Sequence, residues 1–174
     1  MLPHNFEPRN YQLPVLSALD DGIKRVIAVW HRRSGKDKTF FNYIIKTTQE
    51  RVGVYYYFFP TYAQGKKILW DGIDKSGFKF LDHVPRELLK DRPNDTEMKI
   101  KFRNGSVFQV IGTDNIDTIR GTNPIGCVFS EFSYQNPTAW NIISPILREN
   151  GGWAIFNFTP NGKNHAYDLF TQAK

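Results

Sequence analysis

Apolar residues in this chain gather into short continuous runs separated by helically spaced and polar segments. Arg25 to Trp30, Gly53 to Phe59, Ile125 to Phe129 and Trp153 to Phe158 are rich in β-branched or aromatic residues and end in turn formers. Runs of this length and content read as strands buried on both faces. A helical spacing recurs around them. Leu13, Val15, Leu16 and Leu19 predict a helix that Asp20-Asp21-Gly22 closes, and Phe40, Phe41, Ile44 and Ile45 line one side of a helix from about 37 to 49. Thr61 is a good N-cap for a helix reaching Ile73, Asn136-Pro137 opens one over 138–147 that contains Pro145, and a short one spans 166–172.

One region alternates instead. Met98 to Arg103 and Ser106 to Ile111 place every second residue apolar, with Asn104-Gly105 between them, which predicts a β-hairpin near 98–111. Residues 1–9 read as an irregular lead-in, 75–96 as mixed turns with a short helix around 85–90, and 114–120 as a helical turn. Buried strands alternating with helices predict an α/β fold with a mainly parallel central sheet flanked by helices.

Composition narrows this picture. The 174 residues contain 40% hydrophobic and 15% aromatic side chains, enough for one globular domain over 1–174 and unlike a disordered chain. No repeat, low-complexity tract or linker divides it. The formal charge is +6 and is uneven: residues 1–87 carry 14 Lys and Arg against 9 Asp and Glu, the remainder 9 against 8. An anionic partner suits this excess, and so does a merely solubilising surface. The single Cys127 allows no internal disulfide and suits a reducing compartment. Scattered histidines argue against a structural zinc site. The N-terminus lacks a signal-peptide core and the longest apolar run is too short to span a bilayer, so the expected location is the cytoplasm, without a membrane partner.

The chemistry lies at the strand ends, where sites form in parallel sheets. After Val26 to Trp30 come His31-Arg32-Arg33-Ser34-Gly35-Lys36-Asp37-Lys38, then a helix. A strand, a glycine turn and a helix start can wrap a phosphate with backbone N–H groups, and Lys36 adds charge near the outer phosphates. The pattern departs from G-x-x-x-x-G-K-[ST] at the first glycine position, Trp30 or His31, and at Asp37, where a Ser or Thr usually holds Mg2+. A basic turn between a strand and a helix would share much of this composition.

Glu131 ends another strand, where it fits a general base or water-positioning residue and, taken alone, more commonly a plain exposed carboxylate. Ser130 precedes it where an Asp usually supports Mg2+. Asp37 and Ser130 are therefore the candidate metal positions, with Thr39 a weaker one. Thr159-Pro160-Asn161-Gly162 follows the last strand and fits either a plain turn or a phosphate sensor. Arg32 and Arg33 suit a phosphate cage or an outward anionic contact. Arg120 fits a surface arginine equally with a finger reaching a neighbouring subunit's nucleotide.

In order and spacing, Tyr11-Gln12, His31-Arg-Arg-Ser-Gly-Lys-Asp37, Phe59-Pro-Thr-Tyr62, Ile119-Arg-Gly121, Cys127-Val-Phe-Ser-Glu131 and Thr159-Pro-Asn-Gly162 resemble the N-terminal ATPase domain of the large terminase subunit of tailed bacteriophages. That resemblance covers nearly the whole chain. It implies a P-loop NTPase (RecA/ASCE-like) fold and an ATP hydrolase that uses Mg2+ to drive duplex DNA into the procapsid. It further implies that Gln12 contacts adenine and that Arg32 is the arginine within the phosphate loop. Lys36 and Glu131 become the catalytic lysine and glutamate, and residues 159–162 the coupling motif. Arg120 becomes a trans-acting arginine. Double-stranded DNA, the portal protein, the small terminase subunit and further copies in a ring are the implied partners, in the host cytoplasm and transiently at the portal. Large terminases also carry a C-terminal nuclease, and these residues contain none. Two other readings stay open at this level: a helicase-like DNA translocase, and a basic nucleic-acid-binding module with a degenerate loop, for which Ser130 and Asp37 speak.

Overall fold

Successive side chains of β2 (Val54–Phe59) enter opposite hydrophobic layers: Tyr55, Tyr57 and Phe59 one, Tyr56 and Phe58 the other. A strand that buries both faces has no polar alternation, which is why its sequence is continuously apolar. A computed structural model describes residues 6–173 of the chain. The lead-in expected over 1–9 therefore lies mostly outside the described residues.

Six strands form a single sheet. β1 is Arg25–Val29, β3 Lys99–Lys101, β4 Val107–Gly112, β5 Pro124–Ser130 and β6 Trp153–Phe158, and the order across the sheet is β1-β6-β5-β2-β4-β3. All neighbours run parallel except β3 and β4. The β3–β4 hairpin is the expected one, with a longer turn than a two-residue Asn-Gly loop. Phe102 donates to the Ser106 carbonyl, so Arg103-Asn104-Gly105 make the turn, with Gly105 at φ 97°. β4 also pairs with β2, which makes the hairpin part of the central sheet.

α2 (Lys36–Glu50) covers one face with Phe40, Phe41, Ile44 and Ile45. α4 (Thr138–Asn150) and α5 (His165–Gln172) cover the other with Ile143, Leu147 and Ala166. Phe58, Phe129 and Phe156 stack across three adjacent strands on that second face, with ring centroids 4.7 and 4.9 Å apart. Burying each such ring stabilises the fold by roughly 1.5–3 kcal/mol. Pro145 lies inside α4 without ending it; Gly151, at φ 69°, closes the helix.

α1 (Leu13–Asp20) packs beside β1. Thr61 caps α3 (Tyr62–Gly65), accepting from Gln64 N at 3.1 Å, and a π-helical turn follows over Lys66–Trp70. This segment stops three residues before the expected end at Ile73. Short 3-10 turns occupy Phe80–His83, Arg86–Leu88 and Thr113–Ile119. Among the described residues no helix is long and apolar enough to cross a membrane.

The connection from β1 to β2 passes β6 and β5, and the chain later returns to fill that gap. α2 leaves β1 on one face of the sheet, while α4 leaves β5 on the other. That divergence opens a crevice at the carboxyl ends of β1, β6 and β5.

Candidate nucleotide-binding site

Loop 31–35 owes its shape to left-handed backbone at two positions. Arg33 has φ 62°, and Gly35, the N-cap of α2, has φ 79° and ψ 22°. Alternating the hand of successive residues turns their N–H groups toward a common centre. The N–H groups of Gly35, Lys36 and Asp37 find no acceptor among the described residues. The Ser34 hydroxyl is buried and also unpartnered among them. These orphan donors around a concave turn suit an anion.

Tyr11 and Gln12 brace the loop from outside. Tyr11 Oη donates to the Ser34 carbonyl at 2.5 Å, and Gln12 Nε2 donates to the same oxygen at 2.9 Å. Gln12 Oε1 accepts from Arg9 N at 2.9 Å, and Gln12 is 2% exposed. The amide expected to meet adenine is engaged with the backbone of Arg9 and Ser34, behind the loop. A cavity of about 270 Å³ lies against the same groups, lined by Phe6, Arg9, Gln12, Gly35, Lys38 and Thr39. A larger cleft of about 380 Å³, lined by Arg25, Trp140 and Phe170, lies away from all of these loop residues.

Lys36 is 6% exposed and meets two strand ends. Its Nζ is 3.1 Å from Glu131 Oε1 and donates to Thr159 Oγ1 at 3.2 Å. Glu131 has φ 51° and ψ 46°, a left-handed conformation that costs a non-glycine residue about 1–3 kcal/mol. The residues before it are clamped. Gln135 Nε2 donates to the carbonyls of Ser130 at 2.6 Å and Phe58 at 3.0 Å.

Below Lys36 sits Asp37. Its Oδ1 accepts from Ser130 Oγ at 2.5 Å and from Tyr57 Oη at 2.9 Å. Strand periodicity explains the meeting: Tyr57 and Ser130 both point to the face that α2 covers, as does Asn157, which is level with Ser130 in the register. Burial pushes the Asp37 carboxyl above the ordinary 3.8; the two hydroxyls and Lys36 oppose that shift, and Glu131 adds to it. Burial also holds the Tyr57 hydroxyl well above the phenol range, reinforced by Asp37.

The remaining expected residues are placed as follows. Thr39 is fully buried and its hydroxyl donates back to the Gly35 carbonyl at 3.0 Å, so it is engaged with the backbone of the first turn of α2. Lys38 pairs with Asp74 at 3.2 Å. Arg32 and Arg33 are exposed and form no ion pair among the described residues. Pro160, Asn161 and Gly162 are exposed, beyond Thr159. Arg120 follows the 113–119 turn and pairs with Asp117 at 3.0 Å, without contact to the Lys36 group.

Three residues of the site give no sign of their role in the sequence: Tyr57, Gln135 and Asn157. Tyr57 reads there as core, and a glutamine or asparagine inside an aromatic stretch shows its role only through the neighbouring strand. Two contacts link this region to α5. Asn164, the α5 N-cap, donates to the Ser133 carbonyl at 3.3 Å, and the His165 ring lies 2.7 Å from the Phe132 carbonyl.

A divalent cation fits this donor set only together with a ligand. No cluster of three His, Cys, Asp or Glu suited to a metal exists among the described residues. Mg2+ normally takes one or two carboxylates, waters and substrate phosphates, and Asp37 beside an anion-binding turn supplies that kind of arrangement.

A mainly parallel sheet with a turn suited to an anion between β1 and α2, and an acidic residue after β5, which β6 separates from β1, has the architecture of the P-loop NTPase fold. The same fold occurs in large terminase ATPase domains. The chain superposes on the large terminase ATPase domain of Thermus phage P74-26 with a TM-score of 0.73 at 21% identity, covering 95% of this chain and 70% of that one. The large terminase of a second, thermophilic bacteriophage gives 0.66 at 17% identity, covering 97% of this chain and 43% of that one. That second terminase in complex with ATP-gamma-S gives 0.62 at 17% identity over 92% and 40%. These likenesses show a shared fold. No family profile and no curated protein sequence matches the chain.

Proposed function

We propose that the chain is an ATPase domain of a viral DNA-packaging motor, which binds ATP with Mg2+ and hydrolyses it to move duplex DNA. The observation that carries this reading is the convergence of Lys36, Glu131 and Thr159 from three strand ends beside an unsatisfied N–H turn. The shared fold with large terminases supports it, as does the solution of one of them with ATP-gamma-S.

In this reading the N–H groups of 35–37 bind the outer phosphates, and Lys36 leaves Glu131 to neutralise them. Arg32 and Arg33 close over the nucleotide from the loop's exposed side, with Ser34 and Lys38 nearby. Asp37 and Ser130 would hold Mg2+, which would supply neutralisation of phosphate charge. Glu131, released from Lys36, orients the attacking water. Thr159 senses the change at Lys36, and residues 160–162 pass it to α5. The contacts of Asn164 and His165 with the turn after Glu131 give a second path to the same helix.

Double-stranded DNA, the portal protein and the small terminase subunit are the proposed partners, in a ring of copies at the procapsid. Arg120, exposed on its turn, is proposed to reach a neighbour's nucleotide.

ATP turnover with Mg2+ tests the reading. The native chain should hydrolyse ATP, Lys36→Ala should lose both binding and turnover, and Glu131→Ala should lose turnover alone. Equal background rates together with no nucleotide binding in all three would refute it.

A further inference from the structure

The usual phosphate-loop site divides its metal duties between a Ser or Thr hydroxyl at the helix start and an Asp carboxylate at the strand end. Here the helix start carries Asp37 and the strand end Ser130, and the two side chains touch at 2.5 Å. Each has the functional group expected of the other.

The surrounding contacts are consistent with a working exchange. Ser130 and Tyr57 both donate to Oδ1 of Asp37, and Oδ2 takes no hydrogen bond among the described residues. Two neutral donors on one oxygen orient a carboxylate and leave the other oxygen available, the arrangement by which outer groups fix a metal ligand. Asp37 also lacks an ion-pair partner among the described residues, since Lys36 is engaged with Glu131. Asp37 is half-buried, and a half-buried carboxylate favours a cation at its free oxygen.

We propose that Asp37 is the metal-binding carboxylate of the site and that Ser130 and Tyr57 position it, so that the cation is held from the helix side of the crevice and not from the strand side. This deepens the nucleotide-site reading and rests on it. The ligand class is a Mg2+-like divalent cation bound jointly with nucleotide phosphates.

The test measures binding, with Mn2+ as the spectroscopic probe. Mn2+ affinity is read by electron paramagnetic resonance in the presence of a non-hydrolysable ATP analogue, and analogue affinity by calorimetry with and without Mg2+. In the native chain Mg2+ should tighten analogue binding. Asp37→Asn should abolish that enhancement. Ser130→Ala should weaken Mn2+ by about 10–100-fold, as loss of an outer-shell partner does. The exchange variant Asp37→Ser with Ser130→Asp should regain Mn2+ binding that Asp37→Ser alone lacks.

A folded Asp37→Asn chain with native Mn2+ affinity would overturn the inference, and so would a folded exchange variant that behaves like Asp37→Ser. If the exchange variant fails to melt cooperatively, Asp37→Asn and Ser130→Ala decide the matter. A native chain that binds no analogue under any condition would instead refute the nucleotide site itself.

Discussion

Lys36 Nζ lies 3.1 Å from Glu131 Oε1, so the residue that should bind phosphate and the residue that should direct water are paired with each other. A nucleotide's outer phosphates compete for the same ammonium. Glu131→Gln keeps the shape and removes the competition. Analogue affinity should stay level or rise, while turnover falls by about 10²–10⁴-fold. Calorimetry and a phosphate-release assay check the two halves separately; equal losses in both would contradict this role.

Gln12 gives both ends of its amide to the backbone of Ser34 and Arg9. Gln12→Ala should loosen the loop at a cost of about 1–3 kcal/mol. Because the brace acts behind the loop, ATP and GTP analogues should lose affinity by the same factor. A loss confined to the adenine nucleotide would show that Gln12 turns to read the base.

Gly35 occupies φ 79°, and a Cβ there would come within 3.3 Å of Gln12 Nε2. Gly35→Ala should destabilise the chain by about 1–2 kcal/mol, the cost of placing an L side chain in left-handed backbone. The midpoint of urea unfolding measures this, and an unchanged midpoint would mean that the loop relaxes freely.

Asp37 makes a pH prediction whose sign follows from its environment. Burial raises its carboxyl above the ordinary 3.8, so the folded chain favours the protonated form. Its contribution to stability is full below that ordinary value and is lost as pH rises through the raised one. Asp37→Asn cannot ionise and should escape this loss. In the absence of metal, the stability of Asp37→Asn relative to the native chain should therefore increase from acid toward neutral pH. Urea melts of both across that range would show a constant difference if Asp37 kept its ordinary value.

Arg120 is exposed and, among the described residues, pairs only with Asp117, three residues before it, so Arg120→Ala should stay within about 0.5 kcal/mol of native stability in thermal melts. If it acts on a neighbour, specific activity of the native chain should rise with protein concentration, and the variant should lack that rise. A native chain with concentration-independent activity would remove Arg120 from the mechanism.

Much of this protein is decided locally and is legible in its sequence. All of the buried runs form strands, because a run of β-branched and aromatic residues with no polar face has no other stable place than the middle of a covered sheet. Thr61 caps its helix, Gly151 ends another, and Asn104-Gly105 turns the hairpin, each through backbone preferences that act over a few residues. The glycine turn before α2 and the polar residues at the strand ends are likewise legible, since parallel sheets collect chemistry at one edge.

What the tertiary structure decided is which of those ends meet. Sheet order brings β1, β6 and β5 side by side although they are far apart along the chain, and that alone sets Lys36 against Glu131 and Thr159. It turned Gln12 toward the loop's outer side. It moved Tyr57 from anonymous core to a partner of Asp37, because the two-residue period of β2 aims it at the start of α2. Asp37 and Ser130, two separate departures from a familiar pattern in the sequence, became one hydrogen-bonded pair. Their relation depends on strand register across 93 positions of chain, which no local preference encodes.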